Sequence, residues 1–126
     1  MTEHKLLTFQ FEGIPPTVNH MYMSRRGRRF RTDETKTFQD NIIAEFKKLW
    51  GKPQFCERAG LYLYFSQKTK RCWDIDNRVK SIQDCLQKAD VIKNDSQIDI
   101  LHVERQRGAT ENSTRLILTE IINDAE

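Results

Sequence analysis

The 126-residue sequence predicts a single compact α+β domain (mixed α/β), residues 1–126, with helices packed on a small mixed sheet in the order β-α-β-α-β-β. Three observations indicate this class. The length suits one domain with its own core. The composition, 37% hydrophobic and 31% charged, is typical of a soluble globular protein. Segments that alternate apolar and polar residues are interleaved with segments of helical periodicity.

The first half of the chain predicts a strand, a loop and a helix. The segment "LLTFQFE" alternates apolar and polar residues, which indicates a half-buried strand that ends before Pro15 and Pro16. Residues 18–31 are polar and basic, so we predict an exposed loop. A helix follows Thr32, which can cap it, and ends near Gly51. Its predicted apolar stripe consists of Phe38, Ile42, Phe46 and Leu49.

The second half predicts a strand, a helix and two more strands. "LYLYF" is a strand whose buried face is formed by Leu61, Leu63 and Phe65. The helix from Asn77 has a buried stripe formed by Val79, Ile82, Leu86 and Ala89. "IDILHVERQR" and "TRLILTEII" are the last strands, and we predict that the turn at Gly108 to Asn112 joins them as an antiparallel hairpin. The alternation slips around Ile100-Leu101, which indicates a bulge or a register change there.

Several classes of protein are disfavoured. The apolar runs are too short to span a membrane, and "MTEHKLLTFQF" lacks the features of a signal peptide, so we expect a cytoplasmic protein. The three cysteines have no C-x-x-C spacing and the three histidines no ligand spacing. A disulfide framework and a zinc site are therefore not expected.

The basic residues are clustered, although the net charge is only +3. One cluster lies in "SRRGRRFR" and the other in "KTKR". Their members are Arg25, Arg26, Arg28, Arg29, Arg31, Lys68, Lys70 and Arg71. Such clusters on a nearly balanced chain favour a face that binds a polyanion. The alternative is a solvated basic surface, which the residues alone favour about equally.

The segment "RCWDIDNRVK" places Asp74 and Asp76 two residues apart, just before the second predicted helix. Asp76 lies where an N-cap is expected, and capping alone would explain it. A helix start does not need a second carboxylate at Asp74. If the backbone is extended there, the two carboxylates point the same way and suit a hard cation such as Mg²⁺.

Two further residues could belong to the same site. Lys80 lies one helical turn after Asp76, where it could offset charge in a phosphoryl transition state or simply form a surface ion pair with Asp76 or Asp84. Asp95 lies in the turn "KNDSQ", where Asp is a common turn former. It reaches the start of the helix only if the chain runs back, and "ADVIK" is a candidate for that return.

The ordered set of motifs resembles the RusA family of Holliday junction resolvases, which are small phage- and prophage-associated endonucleases. The family's Asp-x-Asp-Asn and the following Lys correspond to "DIDNRVK", and its acidic turn ending in Asp-x-Gln corresponds to "NDSQI". "PPTVNHMY" is similar to the family's Pro-Pro segment with Asn-x-x-Tyr, here Asn19 and Tyr22. The chain departs from the family pattern at Asn94, where a second acid is common, and at Cys85, where "D-A-L" is the commoner form.

The resemblance implies a magnesium-dependent homodimer that cuts symmetrically related strands of four-way DNA junctions during recombination and repair. It implies that Asp74, Asp76 and Asp95 bind Mg²⁺ and that Lys80 is catalytic. It also favours DNA contact by Asn19, Tyr22 and the two basic clusters. The alternative is a non-catalytic module of the same fold that binds branched DNA without cutting it.

Overall fold

The structure, a computed structural model, describes residues 6–15, 22–25, 28–31, 33–51, 54–55, 58–70 and 76–121. Side chains are described for 6–15, 36–51, 54–55, 58–70 and 78–121. The strands are β1 (Leu6–Glu12), β2 (Tyr22–Arg25), β3 (Arg28–Arg31), β4 (Ala59–Gln67), β5 (Ile98–Arg107) and β6 (Ser113–Glu120). The helices are α1 (Asp33–Leu49), α2 (Asp76–Lys88) and a short 3₁₀ helix, Asp95–Gln97. The α+β class and the predicted order of the main elements are confirmed.

Four strands form a mixed sheet in the order β1-β6-β4-β5. β4 and β5 are parallel and are joined through α2, whereas β6 is antiparallel to both β4 and β1. The predicted hairpin of β5 and β6 is therefore wrong, because β4 lies between them. The register shifts at the start of β5, where Ala59 pairs with Ile98 and Gly60 with Ile100. This irregularity adjoins the predicted slip at Ile100-Leu101.

The composition of β5 and β6 explains which of them is central. β6 carries Leu116 and Leu118, both fully buried at 0% exposure, and it fills the position between two neighbours. β5 is rich in charged residues, and most of its side chains are exposed. Charged strands suit a sheet edge, where they discourage pairing with other chains.

A second sheet consists of β2 and β3 alone, paired as an antiparallel hairpin in which Tyr22 lies opposite Arg31 and Arg25 opposite Arg28. The prediction of an exposed loop over residues 18–31 is therefore wrong for these two segments. Five arginines in this stretch concealed the pairing, because arginine gives no apolar alternation to read.

One apolar core lies between the helices and one face of the four-stranded sheet. Leu61, Leu63 and Phe65 form the sheet side, as predicted, and the whole predicted stripe of α2 is buried. On α1, Ile42 and Phe46 are buried, but Leu49 is 51% exposed and Trp50 takes its place in the core. Trp50 stacks on the ring of Phe55, with 5.0 Å between the centroids. Cys85 is a buried free thiol.

Among the described residues, no helix is both long enough and apolar enough to cross a membrane.

The contrast between Phe46 and Leu49 tests the position of the core. Phe46→Ala removes a side chain of 0% exposure and should lower the free energy of unfolding by about 3–5 kcal/mol. Leu49→Ala is the matched control on the same helix and should change it by less than about 0.5 kcal/mol. Urea unfolding followed by circular dichroism measures both. Equal losses in the two variants would contradict this placement of α1.

Candidate active site

The start of α2 lies at the end of the sheet where β4 finishes. Arg78, in the first turn of α2, donates a hydrogen bond from Nη1 to the Pro15 carbonyl over 2.6 Å. Pro15 follows β1, whose last residue Glu12 lies beside Ser113 at the beginning of β6. Ser113 in turn lies opposite Ser66, near the end of strand β4. The start of α2 therefore belongs to this end of the sheet, which we call the α2-start end.

The α2-start end is basic. Lys68 and Lys70 follow β4 and are exposed, and the Lys68 N–H donates to Asn112 Oδ1 over 2.9 Å. β5 finishes at the same end with Arg105 and Arg107. The predicted cluster in "KTKR" thus adjoins two arginines that the sequence analysis did not assign to the site.

Arg78 is a third candidate residue at this end that the sequence did not point to. Burial lowers the pKa of Arg78 below its usual value, and the nearby positive charge of Arg105 lowers it further. A guanidinium still carries its charge at neutral pH, so the pair concentrates positive potential beside the start of α2. The position of Arg78 within "DIDNRVK" does not by itself predict a functional role. Its proximity to Arg105 becomes apparent only in the folded chain.

The predicted carboxylates at this end are only partly described. α2 begins at Asp76, one residue before the predicted start, but the Asp76 side chain and all of Asp74 lie outside the described residues. Capping by Asp76 and metal binding by the pair therefore stay predictions.

Lys80 lies in the second turn of α2, and its side chain is 62% exposed. Its Nζ is 3.8 Å from Asp84 Oδ1, which is the surface ion pair that the sequence left open as an alternative. A pair this long and exposed contributes little to stability. The Lys80 side chain is therefore held only loosely, and its catalytic role stays a prediction.

Asp95 lies beyond the opposite end of α2. The residues after α2 fold onto its last turn, where the Val91 N–H donates to the Leu86 carbonyl over 3.0 Å. β5 then begins with Ile98 opposite Ala59, at the start of β4. The return of "ADVIK" toward the start of α2 is thus not made within one chain.

The separation follows from the length of the helix. α2 has 13 residues, and at 1.5 Å per residue its ends are about 18 Å apart. Magnesium binds its oxygen ligands at about 2.1 Å. Asp95 and Asp76 of the same chain therefore cannot share one ion.

The turn that carries Asp95 is held firmly. Asn94 accepts a hydrogen bond at Oδ1 from the Ser96 N–H over 2.9 Å, and Gln97 Oε1 accepts from the N–H groups of Lys93 and Asn94 over 2.7 and 2.8 Å. Gln97 Nε2 donates to the Phe55 carbonyl over 2.7 Å. This capping box gives Gln97 a structural role, because its hydrogen bonds fix the backbone around Asp95.

Mg²⁺ is the cofactor that the resemblance implies. Its predicted ligands are the carboxylates of Asp74, Asp76 and Asp95. Carboxylate oxygens are the ligands that this ion prefers. Among the described side chains, no three His, Cys, Asp or Glu residues group together as a metal site. The carboxylates of Asp74 and Asp76 are of the kind that suits this ion, and their binding of it stays a prediction, whereas Asp95 of the same chain lies too far from Asp76 to complete the set.

The remaining predicted DNA-binding residues are only partly placed. Arg25, Arg28, Arg29 and Arg31 have their backbones in the β2–β3 hairpin, as does Tyr22, but their side chains lie outside the described ones. Asn19, Arg26 and Arg71 lie outside the described residues altogether.

The capping role of Gln97 is testable. Gln97→Ala removes three hydrogen bonds and should lower the free energy of unfolding by about 1–2 kcal/mol. The amide protons of Lys93 and Asn94 should also exchange faster, which NMR measures directly. Ser96→Ala, an exposed neighbour in the same turn, is the control and should leave both quantities unchanged. Unchanged exchange in Gln97→Ala would contradict the assigned role.

No curated protein matches the chain. A family model described as Endodeoxyribonuclease RusA matches residues 12–119 of the 126. These residues include every described element from β2 to β5. The chain therefore belongs to the RusA family of endodeoxyribonucleases.

Proposed function

We propose that the protein is a magnesium-dependent, structure-selective endodeoxyribonuclease. It acts in the cytoplasm as a homodimer and resolves four-way (Holliday) junctions in DNA recombination and repair by paired phosphodiester hydrolysis. The observation that carries the proposal is the family match over residues 12–119, which spans the Asp-x-Asp segment, Lys80 and Asp95.

The described part of the α2-start end supports a site for the DNA backbone. Lys68 and Lys70 are exposed there, beside Arg78 and the arginines that end β5. Lysine and arginine contacts to phosphates supply most of the affinity of proteins for DNA. Because α2 starts at this end, DNA bound by these residues would lie next to the start of α2.

The proposed chemistry divides between carboxylates and cations. Asp74 and Asp76 would hold Mg²⁺, which when bound polarises a phosphate oxygen and lowers the pKa of a water molecule. Lys80, exposed and one turn along α2, would donate to a phosphate oxygen as negative charge develops on it. Arg78 would hold the DNA backbone near that phosphate in a fixed position, because the Arg78 side chain is itself hydrogen-bonded to the Pro15 carbonyl.

Cleavage of a labelled four-way junction tests the proposed activity. The wild type should make paired nicks in the junction when Mg²⁺ is present, and none in linear duplex. Asp74→Asn and Asp76→Asn should each lower the cleavage rate by about 100-fold or more while junction binding is retained. Asp40→Asn, an exposed acid on α1, is the control and should cleave normally.

Two other outcomes of this experiment are informative. Equal cutting of junction and linear duplex would contradict junction selectivity but leave a nuclease. Salt-sensitive junction binding without cleavage, with every divalent metal tried, would favour the non-catalytic DNA-binding module instead.

Substitution of Lys80 should change the cleavage rate without changing the stability of the fold. Lys80→Ala breaks only an exposed pair of 3.8 Å, so the free energy of unfolding should change by less than about 1 kcal/mol. We expect the cleavage rate to fall by about 100-fold, because charge stabilisation in the transition state is lost. Lys88→Ala, exposed at the other end of α2, is the matched control. Cleavage by Lys80→Ala at the wild-type rate would reduce Lys80 to a surface ion pair.

A further inference from the structure

The four-stranded sheet has one face that the helices do not cover, which we call the open face. Tyr64 and Ser66 of β4 point to it, because the alternate residues Leu63 and Phe65 lie in the core. A cavity of about 290 Å³ opens on this face near the end of β4. Its volume is at the lower end of the range found for cavities that bind small molecules.

The walls of the cavity come from all four strands, because two rows of paired residues cross the sheet here. The first row consists of Gln10, Arg115, Tyr64 and Glu104, and the second includes Ser66 and Gln106. Pairing across the strands thus brings an aromatic ring, a guanidinium, a carboxylate, a hydroxyl and two amides into one cavity.

Tyr64 and Arg115 provide the flat surfaces of the cavity. The central carbon of the Arg115 guanidinium lies 4.7 Å from the centroid of the Tyr64 ring, which is a cation–π contact. Nucleic-acid bases stack on aromatic rings and on guanidinium planes alike. The pair therefore suits a planar heterocycle.

The polar groups around this pair suit the edge of a base. Gln10 and Gln106 each carry a donor and an acceptor, and Ser66 carries a hydroxyl. Glu104 lies opposite Tyr64 on the neighbouring strand, and its carboxylate only accepts hydrogen bonds. Cytosine, adenine and guanine offer an exocyclic amino group to such an acceptor, whereas thymine has none.

Charge distinguishes a base from a phosphate as the occupant. The charged residues that line the cavity are Glu104, Arg105 and Arg115. A phosphate in the cavity would meet the carboxylate of Glu104, whereas a base carries no charge. The cavity therefore favours the base of a nucleotide over its phosphate.

Cations for a DNA backbone lie directly beyond the cavity. Arg107 is the last residue of β5, one position after Gln106 on the cavity wall. Lys68 and Lys70 follow β4, and the Lys70 side chain lies close to Gly108. The cavity is thus continuous with the α2-start end, at which the proposed function has the DNA backbone bind.

We propose that the cavity binds one unpaired base of the DNA substrate and that the cations beyond it hold the adjoining phosphates. Bases with an exocyclic amino group are preferred over thymine. A base that is already unpaired costs least to bind, because it need not be taken out of a duplex. The inference rests on the proposed function and adds to it a place where the protein reads DNA by its bases.

Binding of short fluorescent single strands tests the proposal. The strands are oligo-dC, oligo-dT and an abasic strand with the same number of phosphates, and anisotropy is measured in EDTA so that no metal-dependent cleavage occurs. The wild type should bind oligo-dC about 5-fold more tightly than oligo-dT. It should bind oligo-dC about 10-fold or more tightly than the abasic strand, because stacking on Tyr64 is lost without a base.

Tyr64→Ala removes the stacking surface and should bind oligo-dC no more tightly than the abasic strand. Tyr64→Phe keeps the ring and should bind as the wild type does. Tyr62→Ala is the matched control, because Tyr62 is half-buried on the same face of β4 but does not line the cavity. It should keep the wild-type preference for oligo-dC. Circular dichroism shows which variants fold.

Glu104→Gln decides the matter if Tyr64→Ala does not fold. Glu104 is exposed, so the fold should survive. Its amide both donates and accepts, so the preference for oligo-dC over oligo-dT should fall to less than about 2-fold. Discrimination against the abasic strand should remain. An unchanged preference for oligo-dC over oligo-dT would contradict the assigned role of Glu104 and overturn the proposal.

Other results also overturn the proposal. A folded Tyr64→Ala variant that still distinguishes oligo-dC from the abasic strand does so, as does a wild type that binds the two strands equally. Sedimentation identifies a different occupant. If Tyr64→Ala converts a dimer to a monomer and leaves strand binding unchanged, the open face is a contact between two copies instead.

Junction cleavage with Mg²⁺ is measured separately and keeps the two proposals distinct. A wild type that cleaves junctions but does not distinguish the strands retains the proposed function and loses the base site. A wild type that distinguishes the strands through Tyr64 but does not cleave junctions retains the base site and loses the proposed function.

Discussion

The parallel pairing of β4 with β5 is the constraint on which the rest of the structure depends. Parallel neighbours cannot be joined by a tight turn, so α2 must carry the chain from the end of one strand back to the start of the next. Its apolar stripe packs on the face formed by Leu61, Leu63 and Phe65. The start of α2 is thereby fixed at one end of the sheet and the turn of Asp95 at the other. The distance between the two halves of the predicted site is therefore a consequence of the topology.

The same constraint determines where β6 lies and which face of the sheet is open. With one edge of β4 occupied by β5, the buried strand β6 takes the other edge and is itself covered by β1. Both helices cover a single face, which leaves Tyr62 and Tyr64 half-buried on the opposite face. There Arg115 lies over the Tyr64 ring, 4.7 Å from its centroid, and His102 contacts both tyrosines. The side chains of this open face contact one another. The outer edge of β5, by contrast, has no partner strand in the described part of the chain.

How much of this could be read from the sequence depended on the range of the interactions. The α2 stripe and the alternation of β4 are local patterns, and they predicted both elements and their buried faces. The arrangement of β5 and β6 is not local: the turn at Gly108 to Asn112 favoured a hairpin, and only the burial of Leu116 and Leu118 against two neighbours decides otherwise. In the candidate site, the order of Asp74, Asp76, Lys80 and Asp95 was readable as a motif. Their distances were not readable, because the spacing of 19 residues from Asp76 to Asp95 contains a whole helix and its reversal.

Rigidity at both ends of α2 keeps Asp95 away from the start of that helix within one chain. A helix of 13 residues whose stripe is buried cannot shorten, and Phe55, to which Gln97 binds, is itself part of the core. Moving Asp95 to Asp76 within one chain would cost several hydrogen bonds and buried contacts. The start of α2 and the turn of Asp95 are therefore held at fixed positions relative to each other by the same core that holds the helix on the sheet.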